Sequence, residues 1–303
     1  MESRNQDLWP KGDFGELSRQ ITRVENGLEG YQSLLLDLPP SSKTVTLGIT
    51  GPPGAGKSTL VDALLSEMLS SGLRIAVIAV DPSSPFSSGA LLGDRIRMSG
   101  HFNHPDVYIR SFSSRGSFGG LNPRIIEITD LIRAWQFDYL LIETVGVGQS
   151  EVEIAGLADT TIVVIVPGTG DDIQMMKSGL LEVADIFALN KADRPHAEEM
   201  MEQLQETARQ HSTLHWQIPV IKTVATENLG IRELLDRIKA HRLSIRENQD
   251  QRTTLMAKKA YELIRSTRMQ DIQPAHLKSD IASLISAGSF NLYRFVAGFR
   301  QKE

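Results

Sequence analysis

The sequence predicts a doubly wound α/β domain built on a mostly parallel sheet, with helical extensions at both ends. Three observations point there. Short apolar runs rich in Val and Ile recur through the middle of the chain, as strands covered on both faces require. Helically spaced stretches alternate with them, the pattern of βα units. The first run leads straight into a glycine-rich turn, "GPPGAGKST" at 51–59.

At the start, Leu17, Ile21, Val24, Leu28 and then Leu34 to Leu36 lie at helical spacing over 14–36. "LPPSS" ends that pattern, because two prolines cannot continue a helix, and sets an N-terminal helical segment over 1–40. A sheet domain over 41–242 follows. Its strand-like runs are "VTLGIT" (45–50), "IAVIAV" (75–80), "DYLLIE" (138–143), "TIVVIV" (161–166), "DIFALN" (185–190) and "PVIKT" (219–223). Helices are expected between them near 57–71, 122–135, 172–183 and 196–211. After 230 the strands stop. Ile231, Leu234, Leu235 and Ile238 share one helix face, and "TTLMAKKAYELIRS" and "PAHLKSDIASLISAG" read as further helices. Pro274 suits a first helical position and Gly288 a C-cap. Residues 243–303 thus form a C-terminal helical arm whose apolar end, "FNLYRFVAGF", must pack on its own domain or on a second subunit.

With 303 residues and 41% hydrophobic content the chain can bury a sizeable core. A formal charge of -5 argues against a nucleic-acid partner. The absence of cysteine excludes disulfides, Cys-ligated zinc and iron–sulfur clusters. The N-terminus has no signal-peptide pattern, and every apolar run falls short of the ~20 residues that span a bilayer. The expectation is a cytoplasmic protein with neither a membrane nor a nucleic acid as partner.

The glycine-rich turn fits G-x-x-x-x-G-K-[ST] over Gly51, Pro52, Pro53, Gly54, Ala55, Gly56, Lys57 and Ser58, with Thr59 next. Glycines there turn main-chain N–H groups toward phosphates, Lys57 can reach the β- and γ-phosphates, and the Ser58 hydroxyl can bind Mg²⁺. "NKAD" ends a later strand: Asp193 can accept two hydrogen bonds from the guanine N1–H and exocyclic amine, with Asn190 and Lys191 bracing the loop. In "TVAT" (223–226) a main-chain N–H of Val224, Ala225 or Thr226 can meet the guanine O6. Asp81 and Glu143 end strands whose C-termini line the ligand crevice of such a sheet, and Asp94 lies 13 residues beyond Asp81. Mg²⁺ prefers oxygen ligands and keeps waters, so not all three acids bind it directly. "DDIQMMK" could equally be an acidic helix start favoured by the dipole. Arg115 is a loop arginine, and His101 and His104 form an H-x-x-H pair with no evident third ligand.

"GPPGAGKST", "DPSSPFSSGALLGDRIRM", "RSFSSRGSFGGL", "ETVGVGQSE", "PGTGDDIQMMKSGLLEVADI" and "NKAD", in this order over roughly residues 20–242, resemble the MeaB/ArgK/MMAA family of SIMIBI-class P-loop GTPases. These are chaperones of adenosylcobalamin-dependent acyl-CoA mutases such as methylmalonyl-CoA mutase. The resemblance implies a GTP- and GDP-binding, Mg²⁺-dependent GTPase, slow without its partner. It implies a dimerising C-terminal arm, a mutase partner that carries the adenosylcobalamin, and a cobalamin adenosyltransferase as a further partner. It makes Ser58, Asp81, Asp94 and Glu143 the magnesium-site candidates, with Gly146 offering its N–H to the γ-phosphate. The stretch 168–179 resembles the family's mobile third switch, where Lys177 would supply charge to the transition state and Asp172 would position it; Glu143 is the third catalytic candidate. Two alternatives compete: a nickel-type metallocentre-insertion GTPase, which lacks a Cys or His capture cluster here, and a P-loop kinase, against which "NKAD" weighs.

Overall fold

The computed structural model describes residues 13–39, 42–81, 98–113, 122–144, 153–168, 179–247, 249–269, 272, 274–287 and 289–297. Strands β1 (Val45–Thr50), β2 (Ile75–Asp81), β3 (Val107–Ser113), β4 (Tyr139–Glu143), β5 (Thr160–Ile165), β6 (Ile186–Asn190) and β7 (Val220–Thr223) form one sheet. Its order is β3-β2-β4-β1-β5-β6-β7, and every pairing is parallel. Six strands lie within a residue or so of the expected runs. β3 was not expected: Arg110, Ser111 and Ser113 interrupt its apolar character. The interruption has a structural use. β3 is an edge strand, and the Arg110 guanidinium donates to the Ser18 carbonyl, Thr22 Oγ1 and Glu25 Oε2, which fixes the first helix over that edge.

Parallel strands need covering on both faces, and two apolar layers supply it. On one face Leu47, Ile49, Val77, Leu141, Ile162 and Val164 pack with Leu60, Leu64 and Met68 of α3 (Lys57–Ser70) and Leu234 and Ile238 of α6 (Ile231–Glu247). On the other, Ile78, Phe112, Leu140 and Ile142 pack with α1 (Phe14–Glu25) and α4 (Ile125–Ala134). Further along that face, Val163, Phe187 and Leu189 meet Met200 and Leu204 of α5 (Ala197–His211). Each such fully buried side chain contributes about 1.5–3 kcal/mol relative to exposure.

The N-terminal segment differs from a single helix over 14–36. It breaks after Glu25, and α2 (Tyr31–Leu36) follows. Gly27 and Gly30 hold left-handed turns at φ 60° and 81°. Leu17, Ile21 and Val24 are buried as the spacing required, but Leu28 falls in the break and is 51% exposed.

The chain divides into two compact units, 1–255 and 256–303. The second holds the later part of α7 (Gln249–Arg268), then α8 (Pro274–Ser286) and α9 (Leu292–Ala297). Pro274 opens α8, as expected of a first helical position. This unit exposes Tyr261, Ile264, Ile285, Leu292 and Tyr293. Of the helix expected over 172–183, the described part has one 3₁₀ turn, Leu181–Val183. Among the described residues no helix is long and apolar enough to cross a membrane.

Candidate functional site

The C-terminal ends of β1, β4 and β6 converge on the turn 51–56. Gly51 has φ 142°, and a Cβ there would stand 2.2 Å from the Val164 carbonyl oxygen, so the turn leaves β1 too close to β5 for any side chain. Gly56 caps α3 in the left-handed region at φ 85°. The α3 hydrogen-bond ladder begins with the Leu60 N–H on the Gly56 carbonyl at 2.9 Å. The N–H groups of the preceding turn, Gly56 to Thr59, therefore have no helical acceptor and carry the positive end of the helix dipole.

Lys57 is buried and its ammonium turns back over the turn, donating to the Gly51 and Pro52 carbonyls at 2.8 and 3.0 Å. Ser58 points the other way and donates through Oγ to Glu143 Oε1 at 2.7 Å, both residues being buried. The sheet sets this contact: Ile49 of β1 is in register with Glu143 of β4, and the Thr144 N–H donates to the Ile49 carbonyl at 3.1 Å. Thr144 Oγ1 also donates to Thr50 Oγ1 at 3.0 Å. Two oxygen donors of different length thus meet at the helix start beside a lysine. Such a set suits a hard cation like Mg²⁺.

From β6, Asn190 Nδ2 donates to the Ala55 carbonyl at 2.9 Å and Lys191 Nζ to the Gly54 carbonyl at 2.8 Å. The "NKAD" loop is therefore bonded directly to the phosphate-type turn. Lys191 takes φ 55°, the chain reverses, and Asp193 stands exposed in the loop. Thr223 Oγ1, at the end of β7, and the N–H of Ala225, in the 3₁₀ turn that follows, both donate to Asn190 Oδ1 at 3.2 Å. The Val224 N–H donates to the Leu229 carbonyl at 3.1 Å.

The structure thus brings together Gly51, Pro52, Pro53, Gly54, Ala55, Gly56, Lys57, Ser58, Thr59, Glu143, Asn190, Lys191, Asp193, Val224, Ala225 and Thr226 at one edge of the sheet. Asp81 ends β2 on that edge, where Ala79 is in register with Glu143; its side chain lies outside the described residues. Asp94, Arg115, Gly146, Asp172 and Lys177 also lie outside them. His101 and His104 face different partners. His101 Nε2 is 3.2 Å from Asp62 Oδ1, while His104 Nδ1 accepts the Asp106 N–H at 3.2 Å. Thr144 and Thr223 lie within "ETVGVGQSE" and "TVAT", but the sequence assigned neither a role. Each stands next to a motif letter, but its hydroxyl partner comes from another strand.

The model of the family described as methylmalonyl-CoA mutase-associated GTPase MeaB matches residues 17–278. A protein of Pyrococcus abyssi named as a putative GTPase is 48% identical over 237 residues, 77% of this chain and 73% of its own. The GTPase ArgK of Escherichia coli is 40% identical over 235 residues, 74% of this chain and 71% of its own. Among solved structures, one described as a LAO/AO transport system kinase superposes with a TM-score of 0.57 at 24% identity, covering 95% of this chain and 98% of that one, which shows a shared fold.

Proposed function

The chain belongs to the MeaB family of methylmalonyl-CoA mutase-associated GTPases and is a GTPase, and from that premise we propose that it couples GTP hydrolysis to the chaperoning of an adenosylcobalamin-dependent acyl-CoA mutase. The observation that carries the nucleotide half of this reading is the Asn190–Ala55 hydrogen bond, which joins a guanine-type loop to a phosphate-type turn. The mutase half rests on the family match over 17–278.

In this proposal Gly51, Pro52 and Pro53 shape the turn, the Ala55 N–H closes it on the Pro52 carbonyl at 3.2 Å, and the N–H groups of Gly54 and of Gly56 to Thr59 face the phosphates. Lys57 exchanges the Gly51 and Pro52 carbonyls, which hold it at 2.8 and 3.0 Å, for the β- and γ-phosphates. Asp193 accepts from the guanine N1–H and amine, and Asn190 and Lys191 hold its loop. The Val224 and Ala225 N–H groups already have acceptors, so the O6 contact falls to the N–H of Thr226. Ser58 and Glu143, with Asp81 and Asp94, hold Mg²⁺, which when bound neutralises charge on the phosphate oxygens. Gly146 meets the γ-phosphate, and Lys177, positioned by Asp172, brings a cation to the charge that develops in hydrolysis.

The adenosylcobalamin belongs to the mutase, and a cobalamin adenosyltransferase is a further partner. The N-terminal segment 1–40, GTPase domain 41–242 and arm 243–303 divide the work, the arm pairing two copies in the cytoplasm. The test is binding of the purified chain to methylmalonyl-CoA mutase by calorimetry, without nucleotide, with GDP and with a non-hydrolysable GTP analogue. The proposal expects a complex in at least one of these states; no complex in any of them removes the chaperone role.

A further inference from the structure

The chain that leaves β2 at Asp81 is fastened to α3 by the time it reaches residues 98–101. Met98 is fully buried in the apolar layer that α3 shares with the sheet. A 3₁₀ turn, Ser99–His101, follows, and the His101 N–H donates to the Met98 carbonyl at 3.0 Å. The His101 ring then lies against α3, with Nε2 3.2 Å from Asp62 Oδ1 and 3.4 Å from Ser66 Oγ. Ser58, Asp62 and Ser66 succeed one another at four-residue spacing, so they share one face of α3. Asp62 stands about 6 Å along the axis from Ser58, whose hydroxyl donates to Glu143. His101 is thus held on the same helix face that presents Ser58 to Glu143.

The partners of the imidazole place its hydrogen. The Asp62 carboxylate only accepts, and Ser66 Oγ already donates to the Asp62 carbonyl at 3.1 Å. Nε2 must therefore carry the hydrogen and share it between the carboxylate and the hydroxyl. The His101 side chain is 16% exposed and that of Asp62 39%, so the contact is shielded on the histidine side. Met98 and His101 together fix the returning chain to α3 by an apolar anchor and a polar one, three residues apart.

Asp94 precedes Met98 by four residues. At most about 14 Å of chain therefore separates this candidate metal acid from a point fixed on the helix that carries Ser58. We infer that His101 is a positioning residue for the cation site: through Asp62 and Ser66 it pins the chain returning from β2 to the face of α3 that Ser58 heads, and so limits how far Asp94 can stray from Mg²⁺. The inference rests on the Mg²⁺ reading proposed above. It assigns to His101 no contact with metal or nucleotide. It holds whatever path residues 82–97 take, because a connection fixed at both ends has less freedom left to lose when its carboxylate is ordered.

Calorimetric titration of the full chain with a non-hydrolysable GTP analogue, once in EDTA and once in Mg²⁺, measures the gain in affinity that the cation brings. The expected result is that His101→Ala cuts this gain about fivefold and leaves the affinity in EDTA near wild type. Asp62→Ala should cut it by a similar factor, and the double variant should lose no more than either. His101→Gln, whose amide N–H reaches toward the same carboxylate, should recover most of it. The Mg²⁺ concentration that gives half-maximal GTP turnover should rise in step, with kcat at saturating Mg²⁺ kept. An unchanged gain in His101→Ala, equal losses with and without Mg²⁺, or additive losses in the double variant overturn the inference. Should His101→Ala not melt cooperatively, Asp62→Ala takes its place, and an unaltered gain in it is equally decisive. A wild-type chain that gains nothing from Mg²⁺ would remove the Mg²⁺ reading itself, and the inference with it.

Discussion

Asp193 is the residue on which the choice of base turns. It is exposed, and within the described residues no hydrogen bond or ion pair engages its carboxylate, so nothing must be broken before it accepts a ligand. Asp193→Asn should weaken GTP, because a charge-assisted hydrogen bond contributes about 1.5–3 kcal/mol. The same change should favour xanthosine triphosphate, whose 2-oxo group accepts from the new amide. Competition titrations with GTP and the xanthine nucleotide read the switch directly; a variant with the parental preference would show that Asp193 does not face the base. At this scale the site was largely legible. Glycine spacing, Lys57 and Ser58 declare the turn because its geometry is local, and "NKAD" is local too. The roles of Thr144 and Thr223 were not legible, although both lie in quoted stretches, since each hydroxyl gains its partner only when Thr50 or Asn190 arrives on a neighbouring strand.

At the level of elements, the same division between local and distant causes recurs. The central strands were readable because burial on both faces demands an apolar run, whereas in β3, an edge strand, Arg110 separates Tyr108 and Ile109 from Phe112. Arg110 reads as an interruption until the Glu25 carboxylate of α1, 2.9 Å away, is in view. A second polar contact between elements lies at the opposite end of the sheet from the candidate site. His241 of α6 places Nε2 3.4 Å from Asp185 Oδ1 before β6, and its Nδ1 lies 2.9 Å from Thr160 Oγ1 of β5. Burial pushes Asp185 up from 3.8 to about 7, although the Thr161 N–H on its Oδ2 opposes the shift. Burial pushes His241 down from 6.5 to about 4. A raised carboxyl contributes stability that is lost as pH rises toward 7; a depressed imidazole contributes stability that is lost as pH falls toward 4. Between those limits the folded pair holds one proton on Asp185 and the unfolded pair one on His241, so the two slopes cancel. Urea unfolding of His241→Gln should therefore show stability falling from pH 4 to 7, and Asp185→Asn should show it falling from pH 6.5 to 4. Slopes identical to wild type in both variants would mean that burial does not govern this pair.

For the molecule as a whole, the sheet order places β1 centrally, between β4 with its Glu143 and β5, with β6 and its Asn190 one strand further, so the C-terminal ends of the strands bring the phosphate-type turn, Glu143 and the "NKAD" loop together. Alternation of strand and helix announced the parallel sheet and the crevice at its strand C-termini, but not the strand order. The packing of the C-terminal unit was not legible either, because its helices have no partner visible in the sequence. Tyr261 and Ile264 lie three residues apart on one face of α7 and are 66% and 54% exposed. If the arm pairs two copies, Tyr261→Asp should lower the mass measured by light scattering from dimer to monomer while GDP affinity stays unchanged; an unaltered mass would place the subunit contact elsewhere. The central claim concerns a larger partner. A site whose phosphate turn and base loop are joined still needs a positioned water and a cation to hydrolyse GTP quickly, and the proposal has the mutase supply that order. The most direct measurement is GTP turnover by the chain across a concentration series of an adenosylcobalamin-dependent mutase, with complex formation followed in the same samples. Turnover should rise about tenfold or more, about 1.4 kcal/mol of barrier, and Lys177→Ala should lose most of that rise while keeping its basal rate and nucleotide affinity. Unchanged turnover with the mutase saturating and bound would contradict it.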